Sequence, residues 1–365
     1  MQEKIVDAQL LNSKPHFEIL DGLRGLAALV VVVFHFMEII FPDLKNNFIS
    51  HGYLAVDFFF CLSGFVMAYA YDSRIAAMGL KTFIKVRLIR LQPLVIIGSI
   101  LGLLTFILDP FTNLYAVYGF KESALLFISS VLMIPYPVMS ERFFNLFSFN
   151  APSWSLFWEY FANIVYATIL FKATRKVLTA LVILGALFLS YIAWHYGNLL
   201  GGWGGSTFFH GLVRISFSFS IGMLMYRSNW IIKNNLSLSG LSALLLLVFF
   251  IPHFESYNWF IEPVLVVFYL PLIMSLGAGA SLTGKQYKIN KFSGDISYPL
   301  YMVHYPFIWI FLSYVTEKEP SKSELWWIIP ISVLLLICFA HLVSRFLDYP
   351  IRRYFSNKLK ASANI

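Results

Sequence analysis

Charged side chains are scarce in this sequence. Asp, Glu, Lys and Arg make up 13% of the 365 residues, whereas hydrophobic residues make up 59% and aromatic residues 18%. The mean hydropathy of +0.72 exceeds what a water-soluble domain of this length shows. We therefore predict an all-α, polytopic membrane protein. The net charge is +8, but the basic residues are spread over many loops, so nucleic acid is not an expected partner.

Cysteine is also rare, and its positions exclude several kinds of site. Cys61 and Cys338 both lie in apolar runs, so we expect neither a disulfide nor a thiolate metal site. The sequence contains no zinc-ligand spacing, no Walker motif and no nucleophile elbow. We therefore expect no metal, and we expect chemistry that depends on side chains acting with a bound co-substrate.

We interpret ten apolar runs as membrane-spanning helices. They comprise 19–41, 53–71, 87–108, 152–171, 177–196, 208–227, 237–252, 260–279, 294–315 and 326–347. A further run, 122–139, contains Pro135 and Pro137, and the part before these prolines is too short to cross a bilayer. We predict that this run is a re-entrant or interfacial segment.

The distribution of Lys and Arg favours an orientation with both termini in the cytoplasm. If 122–139 stays on the outer side, 20 Lys and Arg fall in cytoplasmic segments and five in outer loops, as the positive-inside rule requires. The first 18 residues lack the apolar core of a cleavable signal peptide, so the first span should be an uncleaved anchor. We predict a cytoplasmic segment 1–18, a membrane domain 19–354 and a cytoplasmic tail 355–365.

The first span carries ionisable residues along an otherwise apolar helix, namely Asp21, Arg24, His35 and Glu38. Such a group inside the membrane costs about 2.5–3.5 kcal/mol on insertion scales, so it is a functional candidate by default. Arg24 and His35 are eleven residues apart, which places them on nearly one face and roughly 16 Å apart in depth. The alternatives are that Arg24 extends to the membrane surface and that His35 only joins two helices by a hydrogen bond.

The predicted topology sorts the other polar residues of the spans into two groups by depth. The outer group contains His35, Glu38, Asp57, Ser153, Ser155, Glu159 and Arg214, and the inner group contains Arg24, Arg87, Arg90, Asp295, Ser297 and Tyr298. His304 is expected between the two groups, near the middle of the membrane.

The residue types in the inner and outer groups indicate different functions. Arg87 and Arg90 are spaced i, i+3 and can present two planar forks to one phosphate, although a basic cytoplasmic flank is an equal alternative. His35 suits general base catalysis, with Glu38, Asp57 or Glu159 orienting its ring. Further along the chain, Trp154 and Ser155 either contact substrate or only pack helices together.

Six blocks of the sequence, between about Ile19 and Tyr354, resemble the integral-membrane acyltransferase 3 family. They are LDGLRGLAALVVVVFH, VDFFFCLSGF, RLIR, PSWSLFWEY, GDISYPLYMVHYP and DYPIRRYF, and they occur in the order that the family shows. The resemblance implies about ten helices, a cytoplasmic acyl-CoA donor and acyl transfer to a glycan hydroxyl in a bacterial cytoplasmic membrane. It also implies a catalytic role for His35 and a requirement for Arg24, Arg87 and Arg90.

We therefore expect an O-acetyltransferase that uses acetyl-CoA, with a surface or lipid-linked saccharide as acceptor and membrane lipid around it. His35, Glu38, Asp57 and Glu159 are the candidate catalytic residues; Arg24, Arg87, Arg90 and Tyr298 are assigned to the donor; Trp154, Ser155, Arg214 and His304 are assigned to the acceptor.

The sequence leaves several alternatives open. The acetyl group could be transferred directly or through an acetyl-histidine intermediate, and the oligomeric state, a homodimer included, is also open. Unlike in some members of the family, we expect no esterase-like domain after the last span, so the chain should finish the transfer itself or pass the group to a separate protein. The rival hypothesis is a proton-coupled transporter in which Arg24, His35 and Asp57 relay protons.

Overall fold

The computed structural model of the chain describes residues 17–282, 284 and 286–363. Most of the predicted cytoplasmic segment 1–18 lies outside these residues. Within the described part of the chain, every regular element is helical. The predicted all-α class of a polytopic membrane protein is thereby confirmed.

Thirteen α-helices form the fold of the described residues, numbered here in chain order. They are α1 (Glu18–Ile40), α2 (Ala55–Tyr71), α3 (Ile75–Ile107), α4 (Leu114–Leu132), α5 (Ser153–Thr168), α6 (Arg175–Tyr196), α7 (Phe208–Arg227), α8 (Leu238–Phe250), α9 (Asn258–Gly279), α10 (Tyr287–Val303), α11 (Tyr305–Lys318), α12 (Lys322–Val343) and α13 (Tyr349–Ala363). Wider π-helical turns occur within α9 at Leu265–Tyr269 and between α12 and α13 at Ser344–Asp348.

Seven of these segments are long and apolar enough to cross a membrane. They are Glu18–Ile40, Gly52–Tyr71, Ile75–Ile107, Arg175–Tyr196, Gly205–Arg227, Asn258–Gly279 and Lys322–Ala361. Three of the ten predicted spans fall below this length: α5 has 16 residues, α8 has 13, and the run 294–315 is divided between α10 and α11. Large apolar side chains point outwards on α6 and α12, as lipid-facing helices require; Leu187 and Leu335 are each 63% exposed.

Two predicted segments begin earlier than the apolar pattern indicated. The third span was expected from residue 87, but α3 begins at Ile75 and is interrupted by a positive φ at Gly79. The run 122–139 belongs to α4, which begins at Leu114 and ends at Leu132 before the two prolines. Gly79 and Gly119, each with a positive φ, and the lysines that follow them, Lys81 and Lys121, interrupt the apolar pattern near the start of these helices.

The break between α10 and α11 falls at His304. Pro306 follows two residues later in the first turn of α11, where proline is favoured because its missing N–H would have no helical partner. His304 therefore lies at a helix junction, where its side chain is fully buried.

Glycines bring the helices of the core unusually close together. A Cβ on Gly25 of α1 would lie 2.1 Å from the Ser293 carbonyl oxygen of α10, and one on Gly64 of α2 would lie 2.0 Å from the Phe219 oxygen of α7. Such close approach is how helices associate in lipid, where apolar burial alone offers no driving force. The helix pairs α1–α10 and α2–α7 are thereby held in close contact.

Candidate active site

A cavity of about 880 Å³ opens among α1, α2, α3, α5, α10 and the α12–α13 junction. Six of the twelve residues that the sequence assigned to the site line it: Arg24, Arg87, Arg90, Ser155, Glu159 and Tyr298. The structure thus brings the predicted donor residues together in one space.

Arg24 is held against α10 rather than extended to the membrane surface. Its Nε donates to the Ser297 hydroxyl at 2.8 Å, and a terminal nitrogen donates to the Gly294 carbonyl at 3.0 Å. The same guanidinium lies 3.2 Å from the Asp21 carboxylate one turn away. Its position in the cavity wall is therefore fixed by two helices.

A single contact joins a residue of the predicted inner group, Arg87, to one of the predicted outer group, Glu159. Arg87 of α3 donates to the Glu159 carboxylate at 3.0 Å, and the Ser63 hydroxyl donates to the same oxygen at 3.1 Å. Glu159 was expected at the height of His35 and Arg87 at the cytoplasmic end of its helix. The contact brings the two predicted groups together, and Arg87 lies inside α3, which begins at Ile75.

The mouth of the cavity is rich in paired charges. Besides the contacts of Arg24 and Arg87, Lys291 pairs with Asp295 at 3.0 Å and Arg352 with Asp348 at 2.9 Å. Arg90 and Arg345 also line the cavity, and within the described part of the chain neither forms an ion pair. Two cations of the lining are therefore available to an anionic ligand.

His35 lies outside the lining of the cavity, and its ring is hydrogen-bonded to the carboxylate of Glu38. Its Nδ1 is 2.5 Å from the Glu38 carboxylate, and the two side chains are 19% and 30% exposed. Because an ionised carboxylate only accepts, Nδ1 is the donor and the lone pair lies on Nε2. Of the three carboxylates proposed to orient this ring, Glu38 is the one in contact with it.

A second imidazole stacks on the first. The ring centroids of His35 and His304 are 5.4 Å apart, with an angle of 21° between the planes, and Tyr305 meets His35 edge-on at 4.7 Å. His304 Nδ1 donates to the Leu300 carbonyl at 3.0 Å. Its Nε2 is buried and has no partner among the described residues, so a lone pair is directed into the protein interior.

Tyr301 connects the cavity to this pair of histidines, and the sequence analysis overlooked it. It lines the cavity, its hydroxyl is 2.7 Å from the Ser155 hydroxyl, and its ring centroid is 6.0 Å from that of His304. The signal was present in the sequence, since Tyr298, Tyr301 and Tyr305 recur at helical spacing around His304.

Asp57 and Arg214 are bound to each other and not to His35. The carboxylate accepts two hydrogen bonds from the guanidinium at 3.2 and 2.6 Å, with both side chains almost fully buried. Arg214 also donates to the carbonyls of Gly201 and Tyr53, and it lies 5.2 Å above the Trp154 ring. Of the three alternative carboxylates for orienting the His35 ring, Asp57 is therefore excluded, because it is bound to Arg214. A buried arginine requires a carboxylate, and Asp57 is already engaged.

Comparison with known proteins matches residues 17–345 to the family described as "Acyltransferase domain". "Protein 2 in picA locus" of Rhizobium radiobacter is 35% identical over 44% of this chain and 85% of its own length. "Putative O-acetyltransferase" of Staphylococcus aureus (strain COL) is 27% identical over 92% of this chain and 57% of its own length. "Putative peptidoglycan O-acetyltransferase" of Bacillus subtilis is 26% identical over 91% and 54%, respectively. The chain therefore spans little more than half the length of these last two relatives. No solved structure matches it.

Proposed function

This chain belongs to the acyltransferase 3 family, since the family match covers residues 17–345, and on that premise we propose that it is a membrane O-acetyltransferase. The match confirms the resemblance that the six sequence blocks indicated. The names of the Staphylococcus aureus and Bacillus subtilis relatives support acetyl transfer to an oxygen.

One observation carries the proposal: a single cavity is lined both by basic side chains and by Tyr301, whose ring centroid lies 6.0 Å from that of His304. Acetyl-CoA fits this shape because it has a polyanionic end and a long thin arm that bears the thioester. Its phosphates would bind Arg90, Arg345, Arg24 and Arg87, since guanidinium groups hold phosphate oxygens through paired hydrogen bonds. The arm would then extend past Ser155 and Tyr298 towards Tyr301.

The acetyl group is transferred at His35. Glu38 holds Nδ1–H, so Nε2 accepts the proton of an acceptor hydroxyl as that oxygen attacks the thioester carbonyl carbon. The carbon–sulfur bond then breaks, the proton passes to the thiolate, and the products are the acetyl ester and free CoA. His304, whose buried Nε2 lone pair lies next to His35, would accept a hydrogen bond from the acceptor. Transfer of the acetyl group through a histidine nitrogen leaves the same products.

The acceptor is a saccharide hydroxyl on the outer side of a bacterial cytoplasmic membrane, with both chain termini in the cytoplasm. Peptidoglycan in the name of the Bacillus subtilis relative supports this class of acceptor. The proposed orientation places the basic mouth of the cavity at the cytoplasm, where acetyl-CoA is found, and His35 towards the outside.

Inside-out membrane vesicles from cells that make the chain test this directly. Their cytoplasmic face is exposed, so labelled acetyl-CoA added outside should yield free CoA and an alkali-labile acetyl ester on glycan inside the vesicle. Vesicles with His35→Gln serve as the control and should give neither product. Equal acetyl labelling of glycan in wild-type and His35→Gln vesicles would contradict the proposal. Labelled acetyl groups that enter the vesicle without release of CoA would indicate a carrier instead.

A further inference from the structure

Away from the cavity, three potential metal ligands converge from distant parts of the sequence. His51 precedes α2, His253 lies in the loop after α8, and Glu262 is on the first turns of α9. One ligand atom from each lies within 4.8 Å of the other two. His51 Nε2 and the Glu262 carboxylate are 3.6 Å apart, and both side chains are fully buried.

Both ring nitrogens of His51 have polar neighbours. Its Nδ1 lies 2.9 Å from the Ile251 carbonyl and 3.2 Å from the Ser50 hydroxyl, and its Nε2 lies 2.8 Å from the amide oxygen of Asn258. A neutral imidazole has one N–H. In the tautomer whose Nδ1–H donates to the Ile251 carbonyl, Nε2 carries a lone pair 3.6 Å from the Glu262 carboxylate.

His253 has a free ring nitrogen at the same place. Its Nδ1 is buried without a hydrogen-bond partner among the described residues. Neutral imidazoles with a free lone pair are the form that binds metals.

From this geometry we propose that His51, His253 and Glu262 form a binding site for a divalent metal, with zinc as the best fit. Two imidazoles and one carboxylate are a familiar zinc ligand set, with metal–ligand bonds of about 2.0–2.2 Å. Tetrahedral bonds of that length put ligand atoms about 3.3–3.5 Å apart. The 3.6 Å between His51 and Glu262 nearly meets this spacing, and His253, within 4.8 Å of both, would move closer within its loop.

The surroundings of the site fit this assignment. Metal-binding histidines usually donate their other N–H to a carbonyl or carboxylate, as His51 does to Ile251. Glu262 is held by the Tyr53 hydroxyl, the Asn258 amide and, at 2.5 Å, the Leu199 N–H. The metal would tie the loop before α2 to the α8–α9 loop, on the outer side in the proposed orientation. Because more than 200 residues separate His51 from the other two ligands, no spacing motif could reveal the site, and the sequence analysis expected no metal.

Metal content of the full chain, purified in detergent and equilibrated with micromolar zinc, tests the proposal. The wild type should retain about one zinc per chain after desalting, and His253→Ala should retain less than a tenth of that. His253→Ala leaves the buried network around Glu262 intact, so it should still fold. His195→Ala, which removes a histidine at the exposed end of α6, is the matched control and should bind like wild type.

A melting experiment completes the test. Zinc should raise the melting temperature of the wild type and of His195→Ala, and EDTA should abolish the increase, while His253→Ala should not respond. A metal-free wild type, or equal zinc retention by His253→Ala, would overturn the proposal and leave a metal-free hydrogen-bond network. Because neither readout uses acetyl transfer, the result is independent of the proposed enzymatic function.

Discussion

His35 and His304 stack face to face, with 5.4 Å between ring centroids, yet their hydrogen bonds differ in kind. His35 donates to a carboxylate that is partly exposed, whereas His304 donates to a backbone carbonyl in a fully buried position. A carboxylate stabilises the imidazolium that forms when a base accepts a proton, and a carbonyl does so only weakly. The geometry therefore favours His35 as the base and His304 as its buried neighbour.

Replacing each histidine in turn by glutamine distinguishes the base from its neighbour. His35→Gln should lower the rate of acetyl transfer by at least about 100-fold, because general base catalysis contributes roughly 10²–10⁴-fold. His304→Gln keeps a hydrogen-bonding side chain and should lower the rate by about tenfold, the effect of one hydrogen bond of about 1.4 kcal/mol. Both rates are measured as CoA released at saturating acetyl-CoA. The reverse order of the two effects would make His304 the base.

The donor end of the cavity gives a prediction about binding rather than rate. Arg90→Lys keeps the charge but loses the planar fork, so it should raise the KM for acetyl-CoA about tenfold with kcat nearly unchanged. Arg90 is preferable to Arg87 for this test, because Arg87→Lys would also disturb the bond to Glu159. Arg353→Lys is the control, since Arg353 is exposed and lies outside the cavity lining. An unchanged KM in Arg90→Lys would show that the phosphates bind elsewhere.

Asp57 should matter for stability and not for the chemical step. Asp57→Asn leaves the Arg214 guanidinium buried without its countercharge, and breaking such a pair costs about 3–5 kcal/mol. The variant should melt at a clearly lower temperature in detergent, while the folded fraction keeps near-normal transfer. A 100-fold loss of transfer with unchanged melting would return Asp57 to the catalytic group. Glu38→Gln provides the comparison, because a partly exposed carboxylate beside the base should show the opposite pattern.

Some residues of the site were predictable because their grouping is local. Arg24 and His35 share one helix face, and Arg87 and Arg90 share another, so helical spacing alone groups them. The partner of each charge was not predictable. Asp57 could reach His35 or Arg214 on the predicted depths, and only the packing of α2 against α7 through Gly64 decides for Arg214.

The ends of the helices were also predicted poorly from the sequence, for a physical reason. Hydropathy detects the part of a helix that lies in lipid, whereas α3 and α4 each contain a glycine with positive φ near the start, followed by a lysine. Similarly, nothing in an apolar run shows that a helix stops at His304, although Pro306 gives a hint. The cluster of His51, His253 and Glu262 was invisible because it depends on contacts between distant segments.

The orientation of the chain rests on Lys and Arg counts and can be tested by cysteine labelling. Lys176→Cys and Lys318→Cys place single thiols on exposed positions at the ends of α6 and α11, in a background with Cys61 and Cys338 replaced by Ser. In intact cells, an impermeant maleimide should label position 318 and spare position 176 until the membrane is opened. If 176 is labelled in intact cells and 318 is not, α4 crosses the membrane and every later loop is inverted. The basic cavity mouth near Arg345 would then face outwards, away from cytoplasmic acetyl-CoA.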